Sequence, residues 1–197
     1  MIGRRLTCLI RVLRDRRGAA VTEFAILAPV MIMVLMGLMD LSFQAYTRAV
    51  LEGAIQKAGR DSGIESATPS TIDAKVSAAV KQVVNTATLE FDRKSYSTFG
   101  NIKPERFTDT NNNGVKDATE CYDDVNANQR WDADPGKDGQ GGANDVTMYT
   151  VTATYPRLFP MAKILGWSST ETISAKTLLK NQPFATQATP TVVTRCT

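Results

Sequence analysis

Arg16-Arg17-Gly18-Ala19-Ala20-Val21-Thr22-Glu23-Phe24 opens a stretch that then runs uncharged and mostly apolar to Met39. As a helix, residues 19–39 rise about 30 Å, one hydrocarbon core of a bilayer. Only Thr22 and Glu23 interrupt the apolar character. A carboxylate at the edge of such a span is costly unless paired, so Glu23 is a functional-site candidate. The junction predicts a chain clipped at Gly18, held in a membrane by one helix and passed into an assembly. Pro29 predicts a local kink, and Gly37 a close approach by a neighbouring helix. Asp40 marks the far interface. The alternative, a buried helix of a soluble protein, fits the run length and flanking charges less well.

The charge balance supports that topology. The formal net charge is +3, but residues 1–18 hold six arginines (4, 5, 11, 14, 16 and 17) against one acid, Asp15. The remainder carries 17 basic and 19 acidic side chains. The basic character therefore belongs to a leader, residues 1–18, and is no argument for nucleic-acid binding. The leader is not a Sec-type signal, because the apolar region follows the cleavage point. Its arginines predict a cytoplasmic N-terminus, with the rest of the chain across the membrane.

Helical spacing continues from Leu41 to about Gly59, with Phe43, Tyr46, Val50, Ala54 and Ala58 as its apolar positions. A second helix is expected over 70–85, capped by Ser70 or Thr71, with Ile72, Val76, Val80 and Val83 as its stripe. The period then falls to two. Residues 88–98, 146–155 and 171–179 read as strands, with Tyr149, Val151, Ala153 and Tyr155 on one face. The connection 156–167 is apolar enough to pack. Residues 181–197 read as a loose tail unless Cys196 holds them. The expected class is α+β: a long N-terminal helix (residues 19–60), then a domain over 61–197 with a second helix and an antiparallel sheet.

Within that domain, residues 109–145 are rich in Asp, Asn and Gly. Asp109, Asn111, Asn113, Gly114 and Glu120 fit the calcium-loop pattern D-x-[DN]-x-[DN]-G-x5-E. Side chains at positions one, three and five turn oxygens inward. The carbonyl of Val115 supplies position seven, Asp117 falls at nine, and Glu120 can bind through both oxygens. Asp124, Asn126, Asn128, the carbonyl of Arg130 and Asp132 repeat the offsets. There the turn glycine is Gln129 and position twelve is Pro135, with Asp134 and Asp138 as substitutes for the missing acid. Pro104, and the lack of apolar period upstream, predict a bare loop without EF-hand helices. Calcium is the expected ion, at affinities of about 10⁻⁴–10⁻³ M. A solvated, turn-rich insertion is the other reading of this composition.

Of three cysteines, Cys8 lies in the leader. Cys121 and Cys196 remain, and an even pair in an exported chain predicts one disulfide, with two free thiols as the alternative. Histidine is absent. With it go the commonest general base and the commonest zinc ligand. Gly139-Gln140-Gly141-Gly142 lacks the lysine and the strand-to-helix setting of a phosphate loop. Nothing apolar surrounds the loop carboxylates to tune them for acid catalysis. The chain is therefore not expected to be an enzyme.

Residues 16–60, from Arg-Arg-Gly-Ala-Ala-Val-Thr-Glu-Phe-Ala-Ile-Leu-Ala-Pro onward, resemble the TadE family, pseudopilins of the tight-adherence (Flp, type IVb) pilus system. The resemblance covers about a quarter of the chain. It implies cleavage between Gly18 and Ala19 by a prepilin peptidase, a single-pass inner-membrane helix with its N-terminus in the cytoplasm, and a periplasmic or extracellular domain. It implies a minor subunit working with other pilin or pseudopilin subunits and the assembly machinery. Glu23, followed by Phe24, becomes the fifth residue of the mature chain, where its carboxylate pairs with the free amine of Ala19. A glutamate resting at the headgroup layer is the alternative. A rival from another class is an uncleaved single-span protein presenting a calcium-dependent adhesion module. A remoter one is an enzyme working through the acidic cluster.

Overall fold

The computed structural model describes residues 18–62, 68–159, 166–181 and 191–196. The expected leader, the connection over 160–165 and most of the expected tail lie outside the described residues. The chain divides into two compact units. One takes the chain up to Gln44 together with Arg157–Ser169; the other takes Ala45–Pro156 and Thr170–Thr197. Helix α1 (Ala19–Asp61) runs from the first into the second.

In the first unit α1 is apolar and almost wholly exposed. Phe24, Ile26, Leu27, Leu35 and Leu38 are each more than half exposed. Pro29 lies inside the helix. It removes one backbone donor, but the flanking Ala, Leu and Val residues continue the helical run. Asp40 is the exception to this exposure, at 8%. It is covered by Arg157, whose guanidinium Nη1 donates to Asp40 Oδ2. Arg157 lies just past a strand end. Its Nε donates to the Ser168 carbonyl at 3.1 Å and its backbone N–H to that of Ser169 at 2.9 Å.

In the second unit, α1 from Ala45 onward and α2 (Pro69–Val83) lie on one antiparallel sheet. The sheet order is β3-β1-β4-β5, with β1 (Thr88–Tyr96), β3 (Lys137–Asp138), β4 (Val146–Pro156) and β5 (Thr170–Lys180). The strands form where β-branched and aromatic residues alternate with polar ones. Tyr149, Val151, Ala153 and Tyr155 face inward as the period of two requires, joined by Ile173, Ala175 and Leu179 of β5. Thr150, Thr152 and Thr154 take the other, half-exposed face. One face is packed on helices and the other is solvated, the usual arrangement for an antiparallel sheet.

Thr68 caps α2: its hydroxyl accepts the N–H of Thr71, whose own hydroxyl accepts that of Thr68, and Pro69 follows at the first helical position. The cap therefore falls two residues before Ser70, because the Pro69 ring is already set for helix and needs no donor. Ile72, Val76 and Val80 are buried as expected. The α1 stripe keeps Ala58 but otherwise differs from the one read in the sequence. Thr47, Leu51, Ile55 and Ala58 are buried, while Tyr46 is 58% exposed. Two apolar stripes adjoin on this helix. The aliphatic one, which buries no phenol oxygen, meets the sheet. Burying Leu51 and Ile55 stabilises the packing by about 1.5–3 kcal/mol each. Gly59 brings α1 close to β5: a methyl group there would stand 3.3 Å from Leu179 Cδ2.

A polar pin crosses this core. Asp73 on α2 accepts from Arg93 Nη2 at 2.5 Å, Arg93 Nη1 at 3.1 Å and Tyr149 Oη at 2.5 Å. The Arg93 guanidinium lies 4.4 Å over the Tyr149 ring. Burial, then the Asp73 bond, pushes the Tyr149 hydroxyl far above the usual phenol range, so it stays a donor.

A second, two-stranded sheet pairs β2 (Tyr122–Asp124) with β6 (Val193–Arg195), antiparallel, Tyr122 opposite Arg195. One step further in the same register, Cys121 and Cys196 are joined as a disulfide with Cα atoms 4.1 Å apart. The described end of the tail is therefore a strand, closed at one side by a covalent bond.

Candidate functional site

Two places in the molecule concentrate the sequence-derived candidates. The first is the junction at the start of α1. Gly18 is exposed and precedes the helix; Ala19 opens it. Glu23 and Phe24 follow within the next turn, both exposed. No ion pair joins Glu23 to another described residue. A free amine at Ala19 would exist only after cleavage, and in this chain that nitrogen is a peptide N–H. From Ala20 onward α1 is long and apolar enough to cross a membrane, and only 6% of its most apolar window is buried. The core helix of a soluble protein would be mostly covered, so the burial favours a span.

The second place is the acidic loop, which is two loops built on one plan. In the first, the Asp109 carboxylate accepts the N–H of Asn113 at 3.1 Å and of Gly114 at 2.8 Å. Asn111 Oδ1 accepts the N–H of Asn113 at 3.0 Å, and Asn113 Oδ1 that of Val115 at 2.7 Å. The side-chain amides of Asn111 and Asn113 donate to Asp117 Oδ2 at 2.7 and 3.0 Å. Glu120 closes the loop: Oε1 accepts the Thr110 N–H at 2.8 Å and Oε2 the Asp117 N–H at 3.0 Å.

The second loop repeats these bonds. Asp124 accepts the N–H groups of Asn128 and Gln129 at 3.1 and 3.0 Å. Asn126 Oδ1 accepts from Asn128 N–H at 3.1 Å, and Asn128 Oδ1 from Arg130 N–H at 2.8 Å. Both side-chain amides donate to Asp132 Oδ2, at 2.8 and 2.5 Å. The backbone agrees. Asn112 and Gly114 have φ of 58° and 75°, and their counterparts Ala127 and Gln129 have 62° and 66°. Gln129 thus holds the left-handed turn that glycine holds in the first loop, at a cost of about 1–2 kcal/mol.

The acid that closes the second loop is neither Asp134 nor Asp138. Asp134 bonds Lys94 Nζ at 2.6 Å and Tyr96 Oη at 2.8 Å, and Asp138 lies in β3 opposite Lys94. Glu105 takes the place instead. Its Oε1 accepts the N–H of Val125 and its Oε2 that of Asp132, both at 2.9 Å. Its own N–H donates to the Asp132 carbonyl at 3.0 Å, as that of Glu120 does to Asp117 at 3.1 Å. Trp131 Nε1 donates to the Glu105 carbonyl at 2.9 Å, and the Trp131 ring meets Phe107 edge-on. Glu105 precedes both loops and sits outside the repeat, so no spacing rule pointed to it.

Glu105, Glu120 and Asp124 are all buried. Burial pushes the Glu105 carboxyl up against the pull of the Val125 and Asp132 N–H groups. At Glu120 the N–H groups of Asp117 and Thr110 hold it below the usual range. Burial also works against ionisation of Asp124. The Arg195 guanidinium, 2.7 Å away, and the Gln129 N–H outweigh it, and the carboxyl is lowered. Among the described residues no three His, Cys, Asp or Glu side chains gather into a metal-holding group. An ion in either loop would depend on Asn oxygens and on the carbonyls of Val115 and Arg130. Those are hard oxygen donors, suited to calcium and unsuited to zinc. No helix flanks either loop among the described residues, as expected.

Fold and sites together define an α+β domain carried on one exposed apolar helix of membrane length. Residues 18–60, about a fifth of the chain, match the family model described as TadE-like protein. The match covers the junction and α1 almost to its end. It agrees with the resemblance read from the same residues. No curated protein and no solved structure matches the chain significantly.

Proposed function

We propose that this chain is a minor pseudopilin of a tight-adherence (type IVb) pilus, anchored in the inner membrane by α1 with its N-terminus in the cytoplasm. A prepilin peptidase cuts between Gly18 and Ala19. The new amine then pairs with Glu23 of its own or a neighbouring helix. Opposite charges in a low-dielectric setting attract strongly, and the pairing fixes the register between subunits. The role is structural, exercised through lateral packing of α1 against other pilin subunits and the assembly machinery. The observation that carries this reading is the exposed apolar surface of α1 with one carboxylate near its start, inside the segment that matches the TadE-like family. The mass of membrane-purified protein tests it, because the mature chain should begin at Ala19. An intact N-terminus in cells that make normal pili would refute the processing step, and wild-type piliation with Glu23→Gln would refute the pairing.

The paired loops favour a second element of the same reading: a domain that takes calcium at 109–120 and again at 124–132, with Glu105 as the closing acid of the second site. Two loops that repeat the same hydrogen bonds support it, and so does their supply of oxygen donors. An uncleaved protein presenting this module for adhesion is the rival function. Gly18→Ala separates the two: it abolishes assembly in a pseudopilin and leaves surface binding untouched in an uncleaved adhesin. Millimolar calcium should raise the melting temperature of the full chain in detergent. An unchanged melting temperature would remove the ion and leave the pilin reading standing.

A further inference from the structure

Arg157, the residue after β4, meets α1 where its apolar run ends. Arg157 pairs with Asp40, the first charged residue after Glu23 on that helix. Arg157 is itself fixed by the carbonyls of Ser168 and Ser169. Two large apolar side chains beside this tie are exposed: Leu158 by 59% and Trp167 by 52%. The Trp167 ring lies 5.8 Å from the Arg157 guanidinium. On α1 itself, Met39 and Leu41 flank Asp40 and are 60% and 54% exposed.

We infer that Leu158 and Trp167 sit in the headgroup layer of the bilayer crossed by α1, held there by the Asp40–Arg157 pair. The inference rests on the membrane reading of α1. Tryptophan and arginine together match the chemistry of that layer. The indole is apolar in body and polar at one edge, and the guanidinium keeps its charge in the wet zone while its stem lies along apolar surface. A charge pair is tolerable at this depth and would be costly further in. The tie places Arg157 at the end of the apolar run, so the occupant facing Leu158 and Trp167 is lipid interface. The consequence is a fixed depth for α1: the helix cannot slide inward without drawing Trp167 and a charge pair into hydrocarbon.

The test uses the full chain in bilayer discs of phosphatidylcholine and phosphatidylglycerol whose acyl chains are brominated near the headgroups. The protein has two tryptophans, Trp131 and Trp167. Bromination should remove roughly half of the emission, the share of one interfacial tryptophan. Trp167→Phe, an exposed change, should abolish that loss. Leu35→Trp on the Trp167→Phe background reports on the span. Asp40→Ala should reduce the Trp167 loss. If Leu35→Trp is quenched and Trp167 is not, or if the loss persists in Trp167→Phe, the interface assignment is overturned and the span stands. If Asp40→Ala leaves Trp167 quenching intact, the ion pair is overturned as the device that sets the depth. If neither position is quenched, the membrane reading falls and takes this inference with it.

Discussion

Glu105 and Glu120 close two neighbouring loops in the same way, each accepting one N–H from the loop's second position and one from its ninth. The equivalence holds although Glu120 ends its loop and Glu105 precedes both. A buried carboxylate that receives two backbone donors organises the turn around it. Removing it leaves those donors with nothing to bond.

Glu105→Ala should therefore destabilise the folded domain by about 2–3 kcal/mol, comparable to Glu120→Ala. Asp138→Ala, on an exposed two-residue strand, should change stability by less than about 0.5 kcal/mol. Urea midpoints of the full chain in detergent give all three. An effect at Asp138 as large as that at Glu105 would contradict the assignment.

Replacing Cys121 and Cys196 by serine opens a closure spanning 75 residues. In the chain-entropy model that constraint contributes about 4 kcal/mol. The loss should appear first at β2 and β6, as faster hydrogen exchange of their amides, while β1, β4 and β5 keep their protection. Uniform loss of protection across both sheets would show that the bond supports the whole domain.

The Asp73–Arg93–Tyr149 pin joins α2 to the sheet. Tyr149→Phe removes one donor and should lower stability by about 1–2 kcal/mol. Arg93→Met leaves Asp73 half-buried without its cation and should cost more, about 3 kcal/mol. The double variant should fall short of the sum, because both donors serve one carboxylate. Strict additivity in thermal or urea unfolding would deny the shared network.

Asp134 gives a pH dependence with a definite sign. Burial raises its carboxyl, but Lys94, then Tyr96 and the Gly136 N–H, together bring it below its ordinary 3.8. A lowered folded pKa means that its contribution is present above about pH 4 and is lost as pH falls through the folded value. The urea midpoint should drop as pH falls below about 4, and Asp134→Asn should flatten part of that drop. A variant as acid-sensitive as the wild type would place the effect elsewhere.

Much of this architecture was legible because one physical rule decided it locally. The apolar run after Gly18 has a single solution, and the alternation at Tyr149–Tyr155 a single face. The α1 stripe slipped by one residue because Tyr46 and Leu51 offer adjoining apolar rows, and only the facing sheet chooses between them. The N-cap moved to Thr68 because Pro69 opens the helix more readily than Ser70. Strands β3 and β6 are too short to show a period. Glu105 and the Asp40–Arg157 pair were invisible for a common reason: each joins residues that only the fold brings together, and neither partner's neighbours predict it.

The pairing of β2 with β6 also sets a timetable. At ribosomal speeds, the 75 residues between Cys121 and Cys196 take about 4–15 s to make. Throughout that interval Cys121 is a lone thiol beside a half-built ribbon, and Arg195 has yet to reach Asp124. The β2–β6 ribbon therefore matures late, after the main sheet has its strands. A newly made chain stalled before Cys196 would carry a finished platform and an open, oxidisable edge.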